Sequence, residues 1–293
     1  MAASGGYAGG GQSYRMAADA LRARMVRRIV ARGALTDPAW RAAFAEVPRH
    51  LFVADETVER WDLGARLRWL ADAYADQPIA TRVVGGELVS SSSQPSLMAL
   101  MCEALEVADG HTVLEIGTGT GYNAGLFAHR LGPDAVTTVD LDRELTDPAR
   151  TALDAYGTPA ARSVAVVTGD GALGHPRRAP YDRIMATCEM PVIPGAWLSQ
   201  VRPGGRILAP FATGLVALTV RGPDDAEGRF LPTPAFFVAL RGAQARGPVG
   251  GLGERLFGGG PDVDRTRFGL TVRGGRQWAW RDDPRGPETW EVA

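Results

Sequence analysis

Lysine is missing from all 293 residues, so every one of the 32 basic side chains is an arginine. With abundant alanine and glycine, this reads as coding bias rather than as selection for phosphate contacts. A net charge of −1 excludes a global field that would pull the chain toward nucleic acid or a membrane. Arg22, Arg24, Arg27, Arg28 and Arg32 do cluster, but they read as the solvated face of a helix. Cysteine is almost absent. Cys102 and Cys188 are far apart in apolar surroundings, which predicts two free buried thiols rather than a disulfide and fits a reducing cytoplasm. No apolar run is long enough to cross a bilayer. Met1 to Gln12 is rich in Gly, Ala and Ser without a hydrophobic core, so it reads as neither signal peptide nor anchor. Residues 1–15 are expected to be a disordered tail.

What is present is a glycine loop. Thr112-Val113-Leu114-Glu115-Ile116-Gly117-Thr118-Gly119-Thr120-Gly121-Tyr122-Asn123 reads as strand, tight turn and helix start. The dinucleotide fingerprint is G-x-G-x-x-G; here the third glycine comes one residue early. Glu115 closes the strand, and a carboxylate there would repel a pyrophosphate. It suits a cofactor with a positive amino-acid end and no phosphate, such as S-adenosylmethionine. A purely structural glycine turn is the competing reading.

Around the loop, strands alternate with helices, which predicts an α/β, doubly wound, Rossmann-like parallel sheet. Strands are expected at 135–139, 163–167, 181–186 and 206–209, and helices at 123–131, 143–156 (Pro148 marking a first turn) and 194–201, with a turn at Pro203-Gly204-Gly205. Ligands of such sheets bind at the carboxyl ends of strands. Three strand ends there carry acids. Glu115 is the first. Asp140, followed by Leu141, is placed for ribose hydroxyls, and Asp170, followed by Gly171, for an adenine amino group.

Upstream, helices are expected at 16–33, after Asp37-Pro38, and at 56–70, and a short hairpin around Gly85-Gly86. Ser90 to Ser93, then Gln94-Pro95-Ser96, read as a loop feeding a helix at 97–105. Residue physics favours cap and linker serines there over a hydroxyl rim. Downstream of about 215 the texture turns to strands, with an apolar run at 234–240, a glycine-rich span at 242–262 expected to be a mobile loop, and a hairpin across 273–276. Trp278, Trp280 and Trp290 place aromatic surface near the end. A β cap packed on the core and a peptide groove stay open as equal readings.

Residues 25–218 resemble the protein-L-isoaspartate O-methyltransferase family. The match runs through Val47-Pro48-Arg49 with Phe52-Val53, Tyr74-x-Asp76-x-Pro78, Ser93-Gln94-Pro95, Val113 to Tyr122, Gly169-Asp170-Gly171, Pro180-Tyr181-Asp182, Ile193-Pro194 and Arg202-Pro203-Gly204-Gly205. The resemblance implies a class I methyltransferase core at 16–218, with an N-terminal helical substrate segment. Beyond that core, the strand texture predicts a C-terminal β-rich extension at 219–293 that could cap a peptide. The resemblance also implies S-adenosylmethionine as donor, held by Glu115, Gly117, Thr118, Gly119, Gly121, Tyr122, Asn123, Asp140, Leu141, Asp170 and Gly171. Ser93 and Ser91 are the implied catalytic hydroxyls, with Tyr74, Asp76, Ser92, Gln94 and Thr187 on the acceptor side. No metal enters.

The departures are specific. Thr120 and Asn123 replace the usual Ser and Gln of the loop, Ser91-Ser92 a Thr-Ile, Ser96 an aromatic or His, and Ala186-Thr187-Cys188 a Val-Thr-Ala. About 75 residues follow the family core. This looks like an actinobacterial branch beside ribosomally made, modified peptides (lanthipeptides and graspetides), which methylates an Asp of the precursor. The ester then cyclises to aspartimide and can open to isoaspartate. Repair of isoaspartyl proteins is the close alternative. A non-catalytic protein that binds the cofactor, or a small-molecule carboxyl methyltransferase, is more distant. A peptide or protein partner is expected, with no nucleic acid, no membrane and a cytoplasmic location.

Overall fold

The computed structural model describes residues 6–53, 62–242, 251–258 and 263–292. Its centre is a parallel sheet whose order follows from the strand–helix alternation. Strands β3 (Val113–Ile116), β4 (Val136–Asp140), β5 (Ala165–Thr168), β6 (Tyr181–Ala186) and β7 (Val201–Phe211) lie in the order β5-β4-β3-β6-β7. All four adjacent pairs are parallel. The chain reverses direction of travel between β3 and β6, which sets the ligand crevice at the ends of those two strands.

Each strand buries alternate residues on opposite faces. Val113 and Met185 join a cluster with Met25, Ile29, Trp40, Phe44 and Phe127. Leu114, Ile116, Ile184 and Ala186 join the other, with Trp197, Phe211 and Phe230. The first face is covered by α1 (Gly6–Ala31), α2 (Pro38–Glu46), α5 (Pro95–Ala104) and α6 (Tyr122–Leu131). Asp37 caps α2 by accepting from Ala39 N at 2.7 Å, with Pro38 in the first turn. A short α3 (Arg49–Phe52) and α4 (Leu63–Ala73) follow.

Several expectations are corrected. The N-terminal helix begins at Gly6, well inside the expected tail of residues 1–15. Tyr14 and Ala18 extend its packed stripe, and Arg66 stacks over the Tyr14 ring at 4.1 Å. Ser90 to Ser92 are strand rather than loop, and only Ser93 and Gln94 lead as loop into α5: β1 (Ile79–Val84) pairs antiparallel with β2 (Glu87–Ser92), Ile79 opposite Ser92. Pro148 lies inside α7 (Arg143–Tyr156), not at its start. The helix expected at 194–201 is the single turn α9 (Gly195–Leu198), after α8 (Pro159–Arg162). Pro203-Gly204-Gly205 interrupts no strand: β7 runs through it as a register shift, Tyr181 facing Val201 and Arg183 facing Arg206.

The expected boundary at 218 falls within β8 (Gly214–Gly222). Beyond it, β9 (Asp225–Phe230), β10 (Phe268–Arg273), β11 (Arg276–Arg281) and β12 (Thr289–Glu291) continue the same sheet antiparallel, making ten strands among the described residues. The expected hairpin turns at Gly274-Gly275. The run at 234–240 is not a strand. It crosses the sheet end as a strap with one parallel bridge, Ala239 to Glu189. The span expected to be a mobile loop falls mostly outside the described residues, but its middle forms α10 (Leu252–Phe257), with Leu256 and Phe257 buried. The helix expected from 56 is described only from Leu63.

Candidate active site

The crevice at the strand ends is a cavity of about 850 Å³, including its mouth. Its floor is the glycine loop. Glu115 is fully buried at the end of β3, accepting from Asn123 Nδ2 and from Thr138 Oγ1, both at 2.7 Å. Thr138 spends its proton on Glu115, so the 2.8 Å contact between Thr118 and Thr138 has Thr118 as donor. This chain ties the loop, β4 and α6 into one unit. Burial pushes the Glu115 carboxyl up to about 7, against the two hydrogen bonds that favour its charge.

Gly117 turns at φ 96 and Gly119 at φ 50. Gly119 N donates to Asp140 Oδ2 at 3.0 Å, fixing the acid at the end of β4. Burial raises the Asp140 carboxyl, with that amide opposing. The outward side of Gly119 looks at the serine strand; a Cβ there would lie 3.7 Å from Ser90 Oγ. Loop and serine rim are therefore neighbours across the cavity.

Ser90, Ser91, Ser92 and Ser93 all line it. Ser90 and Ser92 sit on the buried face of β2, and Thr81 donates to Ser90 Oγ at 2.9 Å. Thr187, at the end of β6, lines it too and donates to the carbonyls of Gly117 (2.8 Å) and Ile116 (3.2 Å). It thus holds the loop rather than offering its proton to an acceptor. The strap closes the remaining side with Phe237 to Arg241. Glu189 N donates to Val238 O at 2.8 Å and Leu240 N to Glu189 O at 2.7 Å. Arg241 donates to Asp142 at 2.7 Å and stands 3.9 Å from Asp140; Arg82 of β1 also pairs with Asp142, at 3.4 Å. Three segments meet at that rim.

Of the expected residues, Ser91, Ser92, Ser93, Thr187, Glu115, Gly117, Thr118, Gly119, Tyr122, Asn123, Asp140, Leu141 and Gly171 line the cavity. Five do not. Tyr74 is buried beneath the rim, its hydroxyl 2.7 Å from His50 Nδ1. Asp76 pairs with Arg32 and accepts from Ser96 N at 2.9 Å, so it anchors α5. Gln94 precedes α5 and bonds Ser96 Oγ at 2.9 Å. Gly121 packs against α7. Asp170 accepts from Ala172 N at 3.0 Å and lies against Gly242, leaving its neighbour Gly171 in the wall. Residue reasoning missed Ser90, Met98, Leu145 and the strap. Only the unbroken apolar run at 234–240 signalled the strap, and it carried no periodicity.

The cavity joins an acid at Asp140, glycine turns at Gly117 and Gly119, and apolar walls from Ile116, Leu141 and Leu240. The model of the protein-L-isoaspartate(D-aspartate) O-methyltransferase family matches residues 21–221. The chain belongs to that family. A protein-L-isoaspartate O-methyltransferase of Azorhizobium caulinodans is 41% identical over 229 residues, 75% of this chain and 95% of that one. One from Methanopyrus kandleri is 37% identical over 190 residues, 64% and 76% of the two chains. Among solved structures, a protein-L-isoaspartate O-methyltransferase superposes with a TM-score of 0.63 at 24% identity, over 93% of this chain and 85% of its own. A Plasmodium falciparum structure of the same designation, solved with S-adenosyl-L-homocysteine, gives 0.57 at 14% identity over 74% and 97%. At those identities the two structures establish the fold alone. As a member of this family the chain is a protein carboxyl O-methyltransferase whose donor is S-adenosylmethionine. No helix among the described residues is long and apolar enough to cross a membrane.

Proposed function

We propose that the enzyme methylates the side-chain carboxylate of an Asp in a ribosomally made precursor peptide. The ester then cyclises: the following backbone nitrogen attacks the ester carbonyl and methanol leaves, giving aspartimide, which can open to isoaspartate. Bound in the cavity, S-adenosylmethionine supplies a methyl group on a sulfonium, an electrophile that an ionised carboxylate attacks directly. No general base is needed, so the residues of this chain have to place and exclude rather than transfer protons.

The observation that carries this reading is the rim. Ser90 to Ser93 all line the cavity, and the Ser90 hydroxyl stands beside the glycine loop. Among the described residues, Arg241 is the cationic side chain lining the cavity, and it is engaged by Asp142 and Asp140. Hydroxyl donors orient a carboxylate while leaving an oxygen lone pair to attack; a bidentate arginine would occupy both oxygens. Glu115 with Asn123 and Thr138 hold the floor rigid, Asp140 offers the ribose its acceptor, and the apolar strap keeps water from the reacting centre. The serines that replace the family's usual residues at 91, 92 and 96 support an acceptor other than the common one. The added strands do not bear on that choice, since a solved structure of the family's designation matches 93% of the chain.

Methylation of isoaspartyl residues in damaged proteins is the second reading, favoured by the designations of the relatives. One paired assay separates them. A candidate precursor peptide and its isoaspartyl isomer are incubated with enzyme and S-adenosylmethionine and followed by mass spectrometry. Gain of one methylene on the Asp peptide, then loss of methanol, is expected. Turnover of the isoaspartyl peptide alone overturns the precursor reading.

A further inference from the structure

Beneath the serine rim lies a charged group that the reaction above does not use. Arg49, the first residue of α3, has none of its surface exposed. A guanidinium keeps its proton in a protein, so a full positive charge is buried here. Its Nη1 donates to the carbonyls of Ala73 (2.7 Å) and Ala75 (3.3 Å). Its Nη2 reaches the carbonyls of Gln77 (3.3 Å), Ser92 (3.3 Å) and Ser93 (3.2 Å), and Ser92 Oγ at 3.3 Å. These partners are all neutral. Among the described residues no carboxylate forms an ion pair with it. Asp76 is the acid whose charge it feels, and Asp76 is itself engaged by Arg32 and by the amide of Ser96. Tyr74 and Tyr122 are the other titratable groups facing it.

Burying a charge this way is expensive unless a partner arrives. The nearest opening is the cavity, because Ser92 is both a cavity wall and an Arg49 partner. There is a directional consequence. Ser92 Oγ accepts from Arg49, so one lone pair is taken and its hydroxyl proton is left to donate elsewhere. Polarisation by the guanidinium strengthens that donation. We propose that Arg49 is a positioning residue for methyl transfer: it locks the 73–77 and 92–93 segments in register and, through Ser92, draws and orients the acceptor carboxylate without touching it. This rests on the carboxyl-transfer reading of the site. Held at one remove, the charge attracts the nucleophile but does not occupy the oxygen that must attack.

The test compares wild type with Arg49→Met, Arg49→Lys and Ser92→Ala. The acceptor is whichever peptide is turned over in the paired assay, Asp or isoaspartyl. The corresponding amide peptide, which carries no charge, serves as competitive inhibitor. Affinity for S-adenosylmethionine is measured in parallel by calorimetry. Arg49→Met is expected to raise the acceptor KM about tenfold, equivalent to about 1.4 kcal/mol. The amide peptide's inhibition constant and the cofactor affinity should change less than about twofold, and Arg49→Lys should recover part of the loss. Equal weakening of the charged and the amide peptide would mean a scaffold only and overturns the proposal. Should Arg49→Met fail to fold, Ser92→Ala decides: a lower kcat/KM with cofactor affinity kept supports it, an unchanged kcat/KM overturns it. Absent turnover in wild type is a different result, and overturns the carboxyl-transfer reading itself.

Discussion

At the scale of single residues, Glu115 shows how much of a residue's setting comes from outside its own segment. The sequence places an acid at the end of the first central strand, and charge complementarity suggests that it meets the positive end of the cofactor. The carboxylate lines the cavity, and each of its oxygens accepts one hydrogen bond, from Asn123 and from Thr138. Those bonds tie the loop to β4 and α6. Nothing local in the sequence announces them, because Thr138 arrives from another strand. The burial has a consequence for pH. Folding raises the Glu115 pKa from an ordinary 4.5 to about 7. Its contribution to stability is therefore complete below about pH 4.5 and is lost as pH rises through about 7. Gln can keep both contacts, accepting from Asn123 and donating to Thr138, and has no charge to bury. Relative to wild type, Glu115→Gln should gain thermal stability steadily between those pH values and level off above them. A difference in melting temperature that stays flat across the range would show that Glu115 does not titrate as the burial implies.

At the scale of elements, long periodic segments were legible and packing roles were not. Leu21, Met25, Ile29 and Val30 announce α1, and the alternation of β3 to β7 announces the sheet. Serine has no strong strand preference, so the run at 90–93 suggests linker. Pairing with β1 makes Ser90 to Ser92 a strand, and the pleat then turns Ser90 and Ser92 inward. The glycine spacing places Gly121 in the cofactor turn, and packing adds a second reason for it. Gly121 lets α6 approach α7: it has φ 81, and a Cβ there would stand 3.0 Å from Ala149 Cβ and 3.3 Å from its Cα. Gly121→Ala combines backbone strain with overpacking, and should destabilise the fold by roughly 2–4 kcal/mol. Urea unfolding measures this directly. A loss below about 1 kcal/mol would mean that α7 gives way easily.

At the scale of the whole molecule, one sheet runs across the expected boundary between core and C-terminal extension. Leu114 and Ile116 of the glycine-loop strand share one hydrophobic cluster with Phe268, Leu270 and Val272. The strap that leads into the later strands also walls the donor cavity. A domain boundary was legible only as a change of texture near 215, and texture does not report that β8 pairs onward with β9. One sheet and one shared core should unfold together. Calorimetry should give a single transition with calorimetric and van't Hoff enthalpies in agreement, and two resolved transitions would contradict the shared core. The central claim concerns chemistry: a hydroxyl-rimmed cavity transfers methyl to a carboxylate oxygen. The most direct measurement uses methyl-labelled S-adenosylmethionine, an acceptor peptide, and mild base after the reaction. The account predicts label on the acidic residue as an ester that base releases as methanol. Label that survives base, bound to nitrogen or carbon, would contradict it.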